Sequence, residues 1–500
     1  MTASSTYVDR LMLIDGSEAE TLTGRRFERS SPAHDTPVAT YPRAGAEDAD
    51  LGVKAARRAF DAGAWPQTPG AQRARVLMRV AELLRRDIEE LARTEVLESG
   101  KPIVQARGEI ESTAGLWEYA ATLARHSYGD AYNMLGPDVL GLVVNEPVGV
   151  VAMITPWNFP LLIVSQKLPF ALAVGCTAVV KPSELTPGTT LHLARLLGEA
   201  GLPDGAVNVI TGDGEAGAAL CGHADVDMIS FTGSTEVGRL IGRTAGEQLK
   251  KVELELGGKN AQIVCADADL DVALDAVVYG AVFNQGECCN SGSRILVEAT
   301  IAAEFQDRVA ERARGVAVGD PLDPRTRVGA IVSAEQLDVI EGYVEQGQKD
   351  GARLLAGGKR LSTPVGRFYQ PTVFGGVAPD MAIAREEIFG PVLSILTFDD
   401  LNDAIRLANS LPYGLSAGVW TRDVDKAVRA ARSIRAGTIW VNSWLEGYPE
   451  LPFGGFGASG PGRELGRQAI ATFTETKTIQ LHAGWRAPWP SPAEHSASAR

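Results

Sequence analysis

From Asp48 to Ser99 apolar residues return at helical spacing, first Leu77, Val80, Leu83 and Leu84, then Ile88, Leu91 and Val96. Gly100 and Pro102 stop that run, and residues 104–127 predict a further helix. Ahead of it, residues 1–45 alternate in short stretches, the pattern of strands near a sheet edge. From Val139 the pattern changes to β-branched runs, LGLVVNEPV and then VGVVAMI, closed by the proline-rich turn PWNFP. A strict alternation follows: helix 161–174, strand TAVVKP, helix 187–200, strand AVNVIT, helix 215–222, strand DMISFTG, helix 234–246, strand KVELELGG. Short apolar strands separated by helices imply βαβ units and a parallel sheet. A second alternation starts after Gly258, with strand NAQIVCA, helix 270–284, strand SRILVEA and helix 299–314. Further strands are predicted at 392–398, 416–420 and 437–441, with helices at 400–410 and 423–435. Two α/β layers therefore follow one another. The stretch ATFTETKTIQLHA alternates like a strand but has no hydrophobic partner nearby, and the Pro-, Ser- and Ala-rich residues 484–500 predict a loose tail.

Composition narrows the class. At about 150 residues per domain, 500 residues suggest about three domains. A hydrophobic share of 45% and a charged share of 22% match soluble globular proteins and exclude a disordered or collagen-like chain. Acidic residues outnumber basic ones, 62 to 48, so the net charge is −14 and a basic nucleic-acid footprint is excluded. Cysteines 176, 221, 265, 288 and 289 form neither a disulfide framework nor a zinc spacing, and the six histidines are scattered, so no metal site is expected. The start, MTASSTYVDRLMLIDG, has no basic segment followed by an apolar core, so no signal peptide is expected. The most apolar region, Val148 to Val180, is interrupted by Pro156, Asn158, Pro160, Gln166, Lys167 and Pro169 and does not read as a membrane span. The expectation is a cytoplasmic protein without membrane or nucleic-acid partners.

Several segments carry chemistry. In FNQGECCNSGSR, residues 283–294, two cysteines sit in a Gly/Asn/Ser loop between a helix and a strand. That setting suits an exposed nucleophilic thiolate, and equally two small packed residues. Cys176, Cys221 and Cys265 read as core or strand residues. In VELELGGKN, Glu255 ends an apolar strand between Leu254 and Leu256, where a carboxylate acquires a raised pKa and can act as a base. Glu253 on the same strand reads as a solvated surface residue. FTGSTEVG brings a strand into Gly233 with Ser234 as N-cap, which is either an anion site or an ordinary capped helix. Gly212, Gly214 and Gly217 match G-x-G-x-x-G literally, but the acidic residue expected about 20 positions later is missing. In KPSELTP, Lys181 and Glu184 are placed to hydrogen-bond sugar hydroxyls, and the glutamate would repel a 2′-phosphate.

Taken in order, PWNFP, KPSE, FTGSTEVG, ELGGKN, NQGECCNSGSR, EEIFGPV, YGLSAGVWT and PFGGFGASGPGRELG resemble the NAD(P)-dependent aldehyde dehydrogenase superfamily across residues 10 to 480. The resemblance implies Cys289 as nucleophile, Asn158 with the Cys289 backbone N–H as oxyanion hole, and Glu255 as the base that activates water. It places Glu387 and Phe389 at the nicotinamide ribose and ring, Lys181 and Glu184 at the adenine ribose, and Ser234 after Gly233 at the pyrophosphate, with Trp157, Gly214 and Phe231 completing the cofactor contacts. NAD is favoured over NADP because of Glu184. By the same alignment Phe159, Gln166, Phe283, Asn290, Trp444 and Phe453 line the substrate tunnel. That partly aromatic lining favours a broad or aliphatic aldehyde, with a betaine or amino aldehyde second. Glu287 departs from the usual glutamine and would raise the thiol pKa if it turned inward, and Phe456 and Gly457 replace the commoner Tyr and Lys. A CoA-acylating enzyme would typically lack the glutamate of ELGG, and a non-catalytic relative would have lost Cys289, Asn158 or Glu255. The implied fold is α/β, with a Rossmann-like cofactor domain (1–125 and 147–257), a catalytic domain (258–470) and an oligomerisation β arm (126–146 and 473–483). A homodimer or a tetramer built as a dimer of dimers is expected.

Overall fold

The computed structural model describes residues 7–126 and 129–484, so the expected tail from residue 485 onward lies outside the described residues, as do Ser127 and Tyr128 at the start of the expected arm. The first layer is a seven-stranded sheet in the order Lys251–Glu255, Met228–Thr232, Val150–Ile154, Thr177–Lys181, Val207–Val209, Met12–Ile14, Ser17–Ala19. The first five are mutually parallel, and the last two add an antiparallel edge. Val150–Ile154 and Thr177–Lys181 are buried along their whole length, which explains why they read as continuous apolar runs rather than alternations. The helical face Leu77, Val80, Leu83 and Leu84 of Gly70–Arg86 packs into one core with Trp117 of Ile103–Ala124 and Phe170 of Pro160–Val174.

Chain order reverses between two adjacent strands of this sheet. Successive strands run outward from Val150–Ile154 on one side and return through Met228–Thr232 on the other. Open α/β sheets bind ligands at the carboxyl ends of strands at such a switch. Here those ends carry PWN, after Ile154, and Gly233-Ser234, after Thr232.

The second seven-stranded sheet runs Arg353–Ala356, Thr372–Gly375, Val392–Phe398, Arg294–Glu298, Ala261–Val264, Ser416–Trp420, Thr438–Val441, parallel except for its first strand. The helix Ala334–Lys349 and the first two of these strands are additions to the sequence reading. The chain leaves the first sheet at Glu255 and enters the second at Ala261. The carboxyl edge of one sheet therefore meets the amino edge of the other.

The orphan C-terminal strand finds its partner. Thr474–His482 pairs antiparallel with Val139–Pro147, which pairs in turn with Asp130–Tyr132. This three-stranded arm leaves Met134, Leu140, Ile479 and Leu481 exposed. Among the described residues no helix is long and apolar enough to cross a membrane.

Candidate active site

The nucleophile loop begins where the helix Leu270–Val282 ends and closes at the strand Arg294–Glu298. Asn284 and Gln285 take left-handed φ values of 50° and 59°, and Gly286 follows at 75°. A Cβ on Gly286 would overlap the Gly390 backbone, so only glycine fits. Beyond this turn Cys288 is buried and Cys289 is half-buried. Asn260 pins the loop from below. Its Nδ2 donates to Cys289 O at 2.7 Å and Ser291 O at 3.0 Å, while its Oδ1 accepts the Ser416 N–H at 3.1 Å. The Cys289 carbonyl lies 3.2 Å from where a Cβ on Gly258 would sit, so the Gly-Gly pair of ELGG permits this close approach. Sequence reasoning missed Asn260, although it ends that motif.

Asn158 is buried beside the loop. One hydrogen of its Nδ2 goes to Glu287 O at 3.1 Å. The amide has a second donor hydrogen, so one remains for a ligand oxygen. Asn284 Nδ2 ties the two segments by donating to Asn158 O at 3.0 Å and Glu287 O at 3.0 Å.

Glu255 ends its strand buried, and neither carboxylate oxygen has a hydrogen-bond partner among the described residues. Burial pushes its pKa well above the usual carboxylate range. Glu464 and Glu253 push in the same direction, and Lys167 and Arg463 oppose. Glu253 corrects the sequence reading. It is 2% exposed, accepts from Ser230 Oγ, and lies 3.7 Å from Lys167 Nζ. The covering element is the C-terminal loop, where Ser459 O accepts the Leu256 N–H at 3.0 Å and Gly462 packs over Glu253 and Glu255. Lys167 and Glu464, paired to each other at full burial, are functional candidates that the sequence pattern hid. A lysine inside the apolar helix PLLIVSQKLPFALAV was the available signal.

The Cys289 thiol is also raised well above its ordinary value, first by its hydrogen bond with Cys288, then by burial, then by the charges of Glu387 and Glu255. Glu287 is not among these causes. Its side chain turns away to the Val332 N–H, so the inward charge considered from the sequence is not formed.

Beside the Gly257-Gly258 turn, Glu387 Oε1 accepts the Gly258 N–H at 3.0 Å, and burial lifts this carboxyl to about 7. Phe389, at φ 56°, sets its ring edge-on to Trp157 at 5.3 Å. The buried Lys181 ammonium lies 3.8 Å from Glu184, and the site of a Cβ on Gly217 is 3.7 Å from the Lys181 side chain. The helix that Gly214 opens, capped by Asp213, therefore stands beside Lys181. Ser234 caps its helix by accepting the Val237 N–H at 3.3 Å, and Phe231 is buried under Gly233. The buried hydroxyls of Thr155 and Thr232 at these strand ends have no partner among the described residues.

The tunnel candidates separate. Phe159 and Phe283 stack at 5.9 Å, and Tyr279 meets Phe283 at 5.3 Å. Ile163, Leu162, Leu445 and Cys288 complete this apolar cluster. Gln166 lies half-buried one turn beyond Ile163, and Asn290 lies half-buried next to Cys289. Trp444 is a correction. It is 6% exposed and fills the core beneath the loop, against Gly280, Gly292 and Gly418. Its neighbour Leu445, forced to φ 63°, supplies the side chain that reaches the cluster. Phe453 is half-buried and packs one side against the core of the first layer.

Comparison with known proteins gives the family. The profile of the aldehyde dehydrogenase family matches residues 19–479. The chain is 42% identical over 453 residues to the betaine aldehyde dehydrogenase of Bacillus subtilis, covering 90% of this chain and 92% of that one. It superposes with a TM-score of 0.96 on the NAD-dependent aldehyde dehydrogenase of Sinorhizobium meliloti, at 50% identity over 97% of this chain and 96% of that one. The NAD+ complex of Staphylococcus aureus betaine aldehyde dehydrogenase gives 0.94 at 36% identity over 96% and 95%. The chain is an enzyme of the aldehyde dehydrogenase family.

Proposed function

We propose that this enzyme oxidises neutral, apolar aldehydes to carboxylic acids with NAD. The observation that carries the reaction is the unpartnered, buried carboxylate of Glu255 on the same glycine turn that abuts the Cys289 loop. Cys289 Sγ attacks the aldehyde carbon and forms a hemithioacetal. The free hydrogen of Asn158 Nδ2 and the Cys289 backbone N–H stabilise its oxyanion. Oxidation of that carbon leaves a thioester on Cys289. Glu255 takes a proton from water, which hydrolyses the thioester and releases the thiolate. No histidine is needed.

The residues fit a dinucleotide. Unpartnered hydroxyls of Thr155 and Thr232, the capped helix after Gly233, and the Lys181–Glu184 pair lie at the strand ends of the switch point. Lys181 and Glu184 would hold the adenine ribose, Ser234 and Gly233 the pyrophosphate, and Glu387, Phe389 and Trp157 the nicotinamide end; Glu184 disfavours a 2′-phosphate. When bound, the nicotinamide supplies the hydride acceptor.

The aldehyde class follows from Phe159. Its ring is 7% exposed and already carries the Lys101 ammonium at 4.8 Å over one face while stacking on Phe283. A ring that already meets one cation and a second aromatic ring is a poor site for another cation. The betaine aldehyde relatives favour the alternative substrate, for which Tyr279 and Phe283 are the remaining aromatic surfaces. Turnover of propanal, hexanal, benzaldehyde, 4-aminobutanal and betaine aldehyde with NAD or NADP tests the assignment. A kcat/KM for betaine aldehyde above that for hexanal overturns it.

The exposed apolar side chains of the arm support its pairing with a second copy, so we assign 126–146 and 473–483 to oligomerisation into a dimer or tetramer. We assign 1–125 with 147–257 to a cofactor domain and 258–470 to a catalytic domain, a division that the two seven-stranded sheets support. Five free cysteines support a reducing, cytoplasmic setting.

A further inference from the structure

Two residues before the nucleophile, Glu287 is 1% exposed. Its Oε1 accepts the Val332 N–H at 3.0 Å, and its Oε2 accepts Gln285 Nε2 at 3.5 Å. Its own carbonyl accepts both Asn158 Nδ2 and Asn284 Nδ2. One residue thus anchors the nucleophile loop through its side chain and receives the oxyanion amide through its backbone.

The Val332 peptide is a firm anchor. Its carbonyl accepts Arg29 Nη2 at 2.9 Å, and Arg29 Nε also donates to Glu98 O at 3.1 Å. The loop needs that anchor. Asn284, Gln285 and Gly286 are successive left-handed residues, and between Gly286 and Arg294 no strand ladder or helix fixes the backbone. Such a backbone persists only where its surroundings hold it. Other ties include the Asn284 N–H to Gln105 Oε1 at 3.1 Å, Asn284 Nδ2 to Asn158 O at 3.0 Å, the Gly329 N–H to Gln285 Oε1 at 3.4 Å, and the Asn260 contacts to Cys289 O and Ser291 O. Glu287 is the tie immediately upstream of the cysteine pair.

We propose that Glu287 is a positioning residue whose reach to the Val332 N–H aligns Cys289 Sγ with Asn158 Nδ2, acting as a hydrogen-bond acceptor and not as a charge. Among the described residues its carboxyl oxygens meet only neutral donors, the Val332 N–H and Gln285 Nε2, and burial disfavours the ionised form. The alignment serves the oxyanion hole proposed above, so the test uses a reaction that needs neither aldehyde nor cofactor.

The full-length chain and its Glu287→Gln, Glu287→Asp and Glu287→Ala variants are compared in two reactions of Cys289. Acylation by p-nitrophenyl acetate forms a tetrahedral oxyanion. Alkylation by iodoacetamide forms none. Glutamine keeps the length and an acceptor oxygen, whereas aspartate keeps the carboxyl group but is one methylene short. Acylation is expected to fall about 100-fold in Glu287→Asp and Glu287→Ala, while alkylation stays within about 3-fold. Glu287→Gln is expected to stay within about 3-fold of the unaltered chain in both reactions. Glu287→Asp acylating like the unaltered chain, or Glu287→Gln falling as far as Glu287→Asp, overturns the proposal. Should Glu287→Ala fail to fold, the Gln/Asp comparison still decides. Failure of the oxidation reading shows separately, as no reduced nicotinamide from any aldehyde in the unaltered chain.

Discussion

Lys167 is paired with Glu464 and stands 3.7 Å from Glu253, with all three side chains at 2% exposure or less. The same ammonium draws the Glu255 pKa down, and Glu464 draws it up. A lysine buried in an apolar helix therefore tunes the proposed base of the second half-reaction.

Opposite shifts follow. Lys167→Met removes the charge that favours ionised Glu255, so the folded pKa of that carboxyl rises and the rise of thioester hydrolysis with pH moves to higher pH. Glu464→Gln removes a like charge and moves it to lower pH. A pH profile of steady-state kcat reads both. Because Lys167→Met strands buried carboxylates, urea unfolding is expected to show a loss of about 3–5 kcal/mol.

The nucleophile obeys the same sign. The Cys288 hydrogen bond and the Glu255 charge both raise the Cys289 pKa. Cys288→Ala and Glu255→Gln are therefore expected to shift the iodoacetamide reactivity profile of Cys289 to lower pH, and Cys289→Ala to abolish turnover. An unchanged midpoint in both of the first two variants would contradict the assigned causes.

These residues show what is legible in contiguous sequence and where that legibility stops. Cys289, Asn158 and Glu255 lie in contiguous motifs, and the parallel sheets follow from apolar runs such as Val150–Ile154 and Thr177–Lys181, which are buried on both faces. Lys167, Glu253 and Glu464 are distant in the chain, and only folding brings them together. Periodicity placed Glu253 on a solvated face because strand alternation does not register a C-terminal loop that returns to cover it. Trp444 was displaced from the tunnel for a similar reason. The backbone turns left-handed at Leu445, and Leu445 rather than Trp444 packs against the Phe159 cluster.

Gly257 is crowded by Glu387, whose carboxylate occupies the position a Cβ would take. Gly257→Ala is expected to push that flexible side chain aside and raise the KM for NAD about tenfold, the equivalent of one charge-assisted hydrogen bond. Cys289 alkylation should be nearly unaffected. Parallel initial-rate and alkylation assays separate the two.

Glu184 lies beside Lys181 with 45% of its side chain exposed. Glu184→Ser removes a carboxylate from the expected ribose position, and the ratio of kcat/KM for NADP over NAD is expected to rise at least about tenfold. A ratio that does not move would place the adenosine ribose elsewhere.

Covalent oxidation on Cys289 with water activated by Glu255 is read out by trapping the thioester. Glu255→Gln protein is mixed with hexanal and NAD, quenched with acid, and analysed by intact mass and peptide mapping. A single equivalent of reduced nicotinamide per site is expected, then a stall, with a hexanoyl group on Cys289. Steady turnover at the rate of the unaltered chain, or an unmodified Cys289 after the burst, would contradict it.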